Sequence, residues 1–299
     1  MARLQLSDMK RPKKPFRPDR DTGVADGLIV GRTAAKAQRE DGNRLKALRD
    51  AHIHCPELTA QAMDLHDRMA RAIAAGEVPD TLASAECWRE GALPTVGHLW
   101  KGVDEYGPEN VSLVTLRPQG MLWEGDDLLD VDPRRLKARL RNHLDRAGVT
   151  AASGFLFMGL DLEFDANRGR SGVWDGHWHG IVGGDKIEAL EALRERRAYK
   201  NARVHPLEQG MTIQPRVHIV KGLVNLPHPI CYCLKGWACH RPTFPNEEGL
   251  LERSKRKGRV PTPYLIRWLL WMDQWKLDDL VLRNSLKITR NGFAISPVR

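Results

Sequence analysis

The sequence predicts an α+β protein built on a ferredoxin-like or RRM-like antiparallel sheet. Three observations predict it. Between residues 106 and 245, short β-branched runs alternate with amphipathic stretches of helical spacing in the order β-α-β-β-α-β. Apolar residues make up 41% of the chain and charged residues 28%, a globular balance that excludes a fibrous or mainly disordered protein. Helix-patterned segments flank the region on both sides, so the sheet is expected to carry helical N- and C-terminal extensions.

In chain order, Met1 to Arg20 holds seven Lys or Arg and two Asp, interrupted by Pro12, Pro15 and Pro18. Residues 1–33 therefore read as a disordered basic arm. Residues 34–105 read as a helical extension: Leu45 and Leu48, then Leu65, Met69 and Ile73, recur at helical spacing, with a break at Cys55-Pro56 and a stop at Gly76. A loop and a short helix are expected from there to Tyr106. Val111 to Leu116, stopped by Pro118, is the first strand. Asp132-Pro133 opens a helix with Leu136, Leu140 and Leu144 on one stripe, closed by Gly148. Phe155 to Phe164 and His177 to Val182 are the second and third strands, and a helix follows over Lys186 to Asn201 with Ile187, Leu190 and Leu193 facing inward. Arg216 to Val224 is the fourth strand. In such a split sheet the helices cover one face and leave the other free, which suits a nucleic acid. Residues 246–299 read as a basic loop and a C-terminal helical segment, where Pro263 to Leu282 has the spacing of a helix packed on the core.

A formal charge of +9 favours an anionic partner. The most apolar runs, Gly154 to Leu162 and Tyr264 to Met272, are too short to span a membrane, and Met1 to Asp21 lacks the apolar core of a signal peptide. Five cysteines are too few, and odd in number, for a secreted disulfide framework, so reduced thiols and a cytoplasmic location are expected.

The first chemical signal is His177-Trp178-His179. On a strand, residues i and i+2 share a face, so both imidazoles leave one side of the sheet. With eleven histidines in the chain such a pair is close to chance, and His52-Ile53-His54 is another. That pair lies in a helix-patterned segment, where i and i+2 diverge, and reads as exposed or structural. His177 and His179 instead follow a strand carrying Asp161 and Glu163, themselves i and i+2. If the two strands form a hairpin, one of these carboxylates completes a 2-His-1-carboxylate metal site with open positions. The bland alternative is a pair of core histidines beside a salt-bridged carboxylate.

The second signal is Pro229-Ile230-Cys231-Tyr232-Cys233-Leu234-Lys235-Gly236, where Tyr232 and Lys235 share a helix face at i and i+3. A phenol is a poor nucleophile at its ordinary pKa near 10, and a neighbouring ammonium or a metal-polarised target activates it. A buried core aromatic is the bland reading of Tyr232.

Taken together and in this order, these features resemble the HUH endonucleases, the rolling-circle replication initiators or Rep proteins. Their first motif, a strand of the form hydrophobic-Thr-Leu-Thr, is matched by Val114-Thr115-Leu116-Arg117, with Arg in place of the second Thr. Their His-hydrophobic-His motif is matched by His177-Trp178-His179 and their Tyr-x-x-Lys by Tyr232 and Lys235. The resemblance spans about Val111 to Trp237. With Gly236 four residues after Tyr232, it is to the single-tyrosine type. It implies a nicking domain over 106–245, Glu163 as the third metal ligand with Asp161 as the alternative, and a Mg²⁺ or Mn²⁺ cofactor. It also implies attack by Tyr232 on single-stranded origin DNA, giving a 5′-phosphotyrosine and a free 3′-OH, with Lys235 assisting. The loop Asp165 to Gly176 departs from the family pattern. No Walker-type motif is present, so a host helicase and polymerase are the expected partners. An HUH transposase, or a non-catalytic nucleic-acid-binding protein, are the competing readings.

Arg117 and the dense run Arg253, Lys255, Arg256, Lys257 and Arg259 are expected to contact phosphates. Cys231, Cys233, Cys239 and His240 do not have a usual zinc spacing and read as structural thiols and a lone histidine.

Overall fold

The computed structural model describes residues 5–9, 34–168, 170–200, 206–211, 214–289 and 291–295. The basic arm expected over 1–33 lies outside the described residues except for 5–9, where Leu6 is buried.

Helices α1 (Ala34–Arg49) and α2 (Thr59–Ala74) form where the Ala, Leu and Arg periodicity places them, and Cys55 and Pro56 separate them. Helix α3 (Ala85–Tyr106) is a correction: a loop and a short helix were expected, and 22 residues of continuous helix are found. Gly91, Pro94, Gly97 and Gly102 lower its local propensity, but burial of Trp88, Ala92, Val96, Leu99 and Val103 along one face overrides that preference. Its amino terminus is capped twice. Ser84 Oγ accepts from Cys87 N, and Asp41 of α1 accepts from Ser84 Oγ and from the Ala85 and Glu86 amides, so a buried carboxylate satisfies the free N–H groups of the first turn.

Among the described residues the other helices longer than four residues are α4 (Pro133–Arg146), α5 (Lys186–Glu191), α6 (His228–Tyr232) and α7 (Thr262–Asp273). In α4 the Asp132 side chain accepts from Arg134 N at 2.8 Å, Leu140 and Leu144 are buried, and Gly148 follows at φ 80°. The helix expected over 186–201 is shorter than its pattern: α5 ends at Glu191 and gives way to two 3-10 turns, Ala192–Glu195 and Arg197–Tyr199, while Asn201 lies outside the described residues.

Seven strands make the main sheet: β1 (Val111–Leu116), β2 (Leu122–Glu124), β3 (Phe155–Asp165), β4 (Val173–Gly183), β5 (Val217–Lys221), β6 (Cys239–His240) and, after the ribbon β7 (Thr243–Pro245) and β8 (Leu251–Arg253), β9 (Val281–Asn284). A separate hairpin joins β10 (Leu286–Thr289) to β11 (Gly292–Ile295). The central order is β5-β1-β4-β3-β6, with β2 on β4 and β9 on β3. Every pair is antiparallel except β3 with β6, so the fold is α+β on a mixed sheet.

Three differences from the sequence reading matter here. The sheet has three strands beyond the four expected, two of them only two or three residues long and too short to leave a pattern. The C-terminal segment is helical only in part, since β9 and the β10–β11 hairpin follow α7. Neither face of the central hairpin is free. All of β3 is buried, and on the side carrying Trp174 and Trp178 the Phe164 ring stacks 4.4 Å from Tyr264 of α7. Trp268 to Met272 of α7 are themselves buried, Trp268 under Arg44 and Trp271 donating to the Val131 carbonyl.

Candidate functional site

The hairpin β3–β4 sets the site by its register. Asp161 stands opposite His177 and Gly159 opposite His179, so these side chains share the face away from Trp178. His177 Nε2 and His179 Nε2 lie 2.9 Å apart, and Asp161 Oδ2 is 3.2 Å from the first and 3.4 Å from the second. Among the described residues this is the group of His, Cys, Asp and Glu whose ligand atoms converge as a metal site would require, and all three residues are buried. The outer ring nitrogens are also held. His177 Nδ1 lies 3.3 Å from the Asp175 carbonyl, which can only accept, so Nδ1 carries the proton and Nε2 presents its lone pair to the site. His179 Nδ1 lies 2.9 Å from Thr115 Oγ1 of β1, a hydroxyl that either donates or accepts. Outer partners of this kind fix the orientation of metal-ligating histidines. The set of two neutral imidazoles and one carboxylate therefore fits a divalent ion.

Electrostatics favour these protonation states. Burial pushes His177 down from its ordinary value, and the nearby Arg117 charge pushes it further. Burial also lowers His179, to about 3, reinforced by His177. Burial alone would raise the Asp161 carboxyl, but the Lys235 ammonium outweighs it and holds it well below the carboxylate range. Lys235 Nζ contacts Asp161 Oδ2 directly. Burial disfavours the ammonium, yet Asp161 keeps it above the ordinary lysine value.

Glu163, the preferred third ligand on family grounds, is not part of this group. Its cross-strand partner is Asp175, another carboxylate, not a histidine. Arginines neutralise the pair: Arg253 contacts both Glu163 and Asp175, Arg241 lies 3.2 Å from Glu163, and Arg117 lies 3.4 Å from Asp175. Glu163 is held at about 2, where burial opposes and the Lys235 and Arg253 charges favour the carboxylate. The register, set by where the β3–β4 loop closes, selects Asp161. The loop is shorter than the sequence suggested, because β3 runs to Asp165 and β4 begins at Val173.

Tyr232 sits on the same face, its ring centroid 4.3 Å from that of His179. Helix α6 ends at Tyr232, so Lys235 lies beyond the helix in the following turn and not on a continuous helical face as expected. It nevertheless returns to the ring, with Nζ 3.9 Å from the centroid and its hydrogen bond going to Asp161. Two glycines allow this approach. A Cβ on Gly159 would collide with the Cys233 carbonyl, so the bare strand backbone lets the α6 turn rest on β3 beside His179, and a Cβ on Gly236 would strike the Trp88 ring. Buried Arg44 of α1 then spans to this turn, donating to the Gly236 carbonyl at 2.9 Å and to the Ala83 carbonyl at 2.8 Å while lying over Trp268. The N-terminal helices thus brace the segment that carries Tyr232 and Lys235.

The arginines and lysines expected at phosphates divide into two groups. Arg253 lies in β8 with its side chain 6% exposed and paired with Glu163 and Asp175, and Arg117 is half-buried against Asp175, so both are internal ion-pair partners. Lys255, Arg256, Lys257 and Arg259 are exposed; Arg259 meets Glu40 at 2.8 Å, and Lys257 Nζ reaches 5.5 Å from the Tyr232 ring centroid. Cys231, Cys233 and Cys239 are free and buried; burial raises all three thiols, Cys239 to about 12. His52 and His54 are exposed and belong to no ligand cluster among the described residues. Sequence reasoning missed Thr115 as a partner of His179 and Arg44 as a brace. The first stood in the motif Val114-Thr115-Leu116, while nothing in the sequence near Arg44 signals the second.

No protein-family model, curated protein or solved structure matches this chain. No helix among the described residues is long and apolar enough to cross a membrane.

Proposed function

We propose that this protein is an HUH-type replication initiator endonuclease of the single-tyrosine kind, which nicks and rejoins single-stranded DNA at an origin through Tyr232. The observation that carries the proposal is the contact of Tyr232 with His179, which brings the one candidate nucleophile against the Asp161, His177 and His179 group. The order β5-β1-β4-β3, with antiparallel neighbours, is that of a ferredoxin-like split sheet and supports the same reading.

In this reading Asp161, His177 and His179 hold Mg²⁺ or Mn²⁺. When bound, the ion supplies Lewis-acid polarisation of the scissile phosphate. The Tyr232 oxygen forms a bond to phosphorus as the bond to the 3′ oxygen breaks, and the phenolic proton ends on the released 3′-OH. Lys235, kept charged by Asp161, places a fixed positive charge beside the ring and the incoming phosphate. Thr115 and the Asp175 carbonyl hold the imidazoles in orientation. The 5′-phosphotyrosine retains the energy of the broken bond, so the reverse attack rejoins the strand without a nucleotide cofactor. Exposed Lys257, whose ammonium lies 5.5 Å from the Tyr232 ring centroid, offers a phosphate contact next to the tyrosine, and exposed Lys255 and Arg256 precede it in the chain. A host helicase and polymerase would unwind and extend the strand.

The test is incubation with end-labelled single-stranded origin DNA and Mn²⁺. A protein–DNA adduct that survives denaturation, and disappears with EDTA, is expected. Its persistence in Tyr232→Phe would assign the nucleophile elsewhere.

A further inference from the structure

Beside the metal group, on the same sheet face, lies a small cleft lined by Arg117, Arg168, Asp175, Glu208, Arg216 and Arg253. Asp175 precedes His177 by two residues on β4, so the cleft begins about 7 Å along the strand from the metal group. Four guanidiniums face two carboxylates there, and two of the four are incompletely satisfied. Arg168 is 5% exposed, yet its Nε and Nη2 have no hydrogen-bond partner; Nη1 meets only the Met211 sulfur at 2.6 Å, and the nearest carboxylate oxygen to Nε, Asp165 Oδ2, is 3.8 Å away. Arg216, 7% exposed, donates through Nη2 to Glu208 at 2.7 Å and leaves Nε unpartnered. Buried guanidinium donors without partners are costly, and their planar forks match an oxyanion. The cleft has a volume of about 30 Å³, enough for two water-sized groups and too little for a base or sugar.

We infer that this cleft is a phosphate subsite for single-stranded nucleic acid, in which Arg168 and Arg216 bind the two non-bridging oxygens of a phosphodiester next to the one at the metal group. The inference rests on the nuclease reading and adds to it where the strand is gripped. Arg117 and Arg253 stay engaged with Asp175 and Arg216 Nη2 with Glu208, so Arg168 Nε and Nη2 and Arg216 Nε are the donors left for the strand.

The experiment measures binding of a fluorescent single-stranded oligonucleotide to the full chain in EDTA across a salt series, with Tyr232→Phe as the background, so that no cleavage intervenes. Arg168→Met and Arg216→Met are compared with that background, each checked by its melting transition, so that if one fails to fold the other still decides. Each loses one contact, so affinity is expected to fall roughly tenfold. The slope of log K against log salt should become shallower by about 0.7. Arg168→Lys, which keeps the charge, should retain the slope. Strand binding with unchanged slopes in both Met variants would overturn the subsite and leave the nuclease reading intact. Absence of strand binding in the background protein would overturn both. Inorganic phosphate that raises the melting temperature of the background protein but not of Arg168→Met, with unchanged DNA slopes, would reassign the cleft to a small free anion and overturn the assignment to a strand.

Discussion

Asp161 and His177 face each other directly across the β3–β4 hairpin, with the carboxylate Oδ2 3.2 Å from the imidazole Nε2. Register therefore decides which of two carboxylates, both on the correct face, belongs to the metal group. Asp161→Asn should weaken Mn²⁺ binding by more than about a hundredfold in calorimetric titration, since the metal group loses its only anionic ligand. Glu163→Gln should leave that affinity within a few-fold while lowering the denaturation midpoint, because Arg253 and Arg241 then lose a buried counter-charge. The opposite ranking would restore Glu163 as the ligand.

Thr115 tests whether the second ring nitrogen of His179 matters. Thr115→Val keeps a β-branched side chain in a central strand and removes only the hydroxyl. Metal affinity is expected to fall about tenfold with the melting temperature little changed. An unchanged affinity would show that the ring is oriented by packing alone.

Gly159 separates the metal group from the nucleophile. A methyl group there meets the Cys233 carbonyl and displaces the turn that carries Tyr232. Gly159→Ala should retain Mn²⁺ binding and lose most DNA adduct formation. Loss of both in parallel would mean that the substitution disturbs the strand pairing itself.

The carboxylate pair Glu163 and Asp175 gives a stability dependence with a definite sign. Both are held at about 2: burial would raise each, but for Glu163 the charges of Lys235 and Arg253 prevail, and for Asp175 those of Arg253 and Arg117. A group whose pKa is depressed on folding contributes stability above its unfolded value and loses it as pH falls toward the folded one. The urea midpoint should therefore drop progressively below about pH 4.5 and continue falling toward about pH 2. In Arg253→Met the decline should begin at higher pH, because that charge is a major reason both carboxylates stay ionised.

The convergence of His177 and His179 was legible because alternation on a strand is a local rule: the two had to share a face whatever the rest of the chain did. The approach of Lys235 to Tyr232 was legible through their spacing, although the helix ends at the tyrosine and the lysine returns from a turn. What the sequence left open was set by long-range geometry. The choice of Asp161 over Glu163 depended on hairpin register, and α3 was obscured by Pro94 and three glycines whose cost is met by tertiary burial. Arg253 looked like part of an exposed basic run, yet β8 carries it inward to two carboxylates about eighty residues earlier in the chain. A charge count cannot distinguish a phosphate contact from an internal counter-ion.

In the proposed reaction Tyr232 attacks DNA beside a metal held by Asp161, His177 and His179. Peptide mapping by mass spectrometry after incubation with single-stranded origin DNA and Mn²⁺ tests it most directly. A nucleotide mass is expected on the peptide containing Tyr232, absent in Asp161→Asn and in Tyr232→Phe. DNA attached to another residue, or strand cleavage that survives Tyr232→Phe, would contradict it.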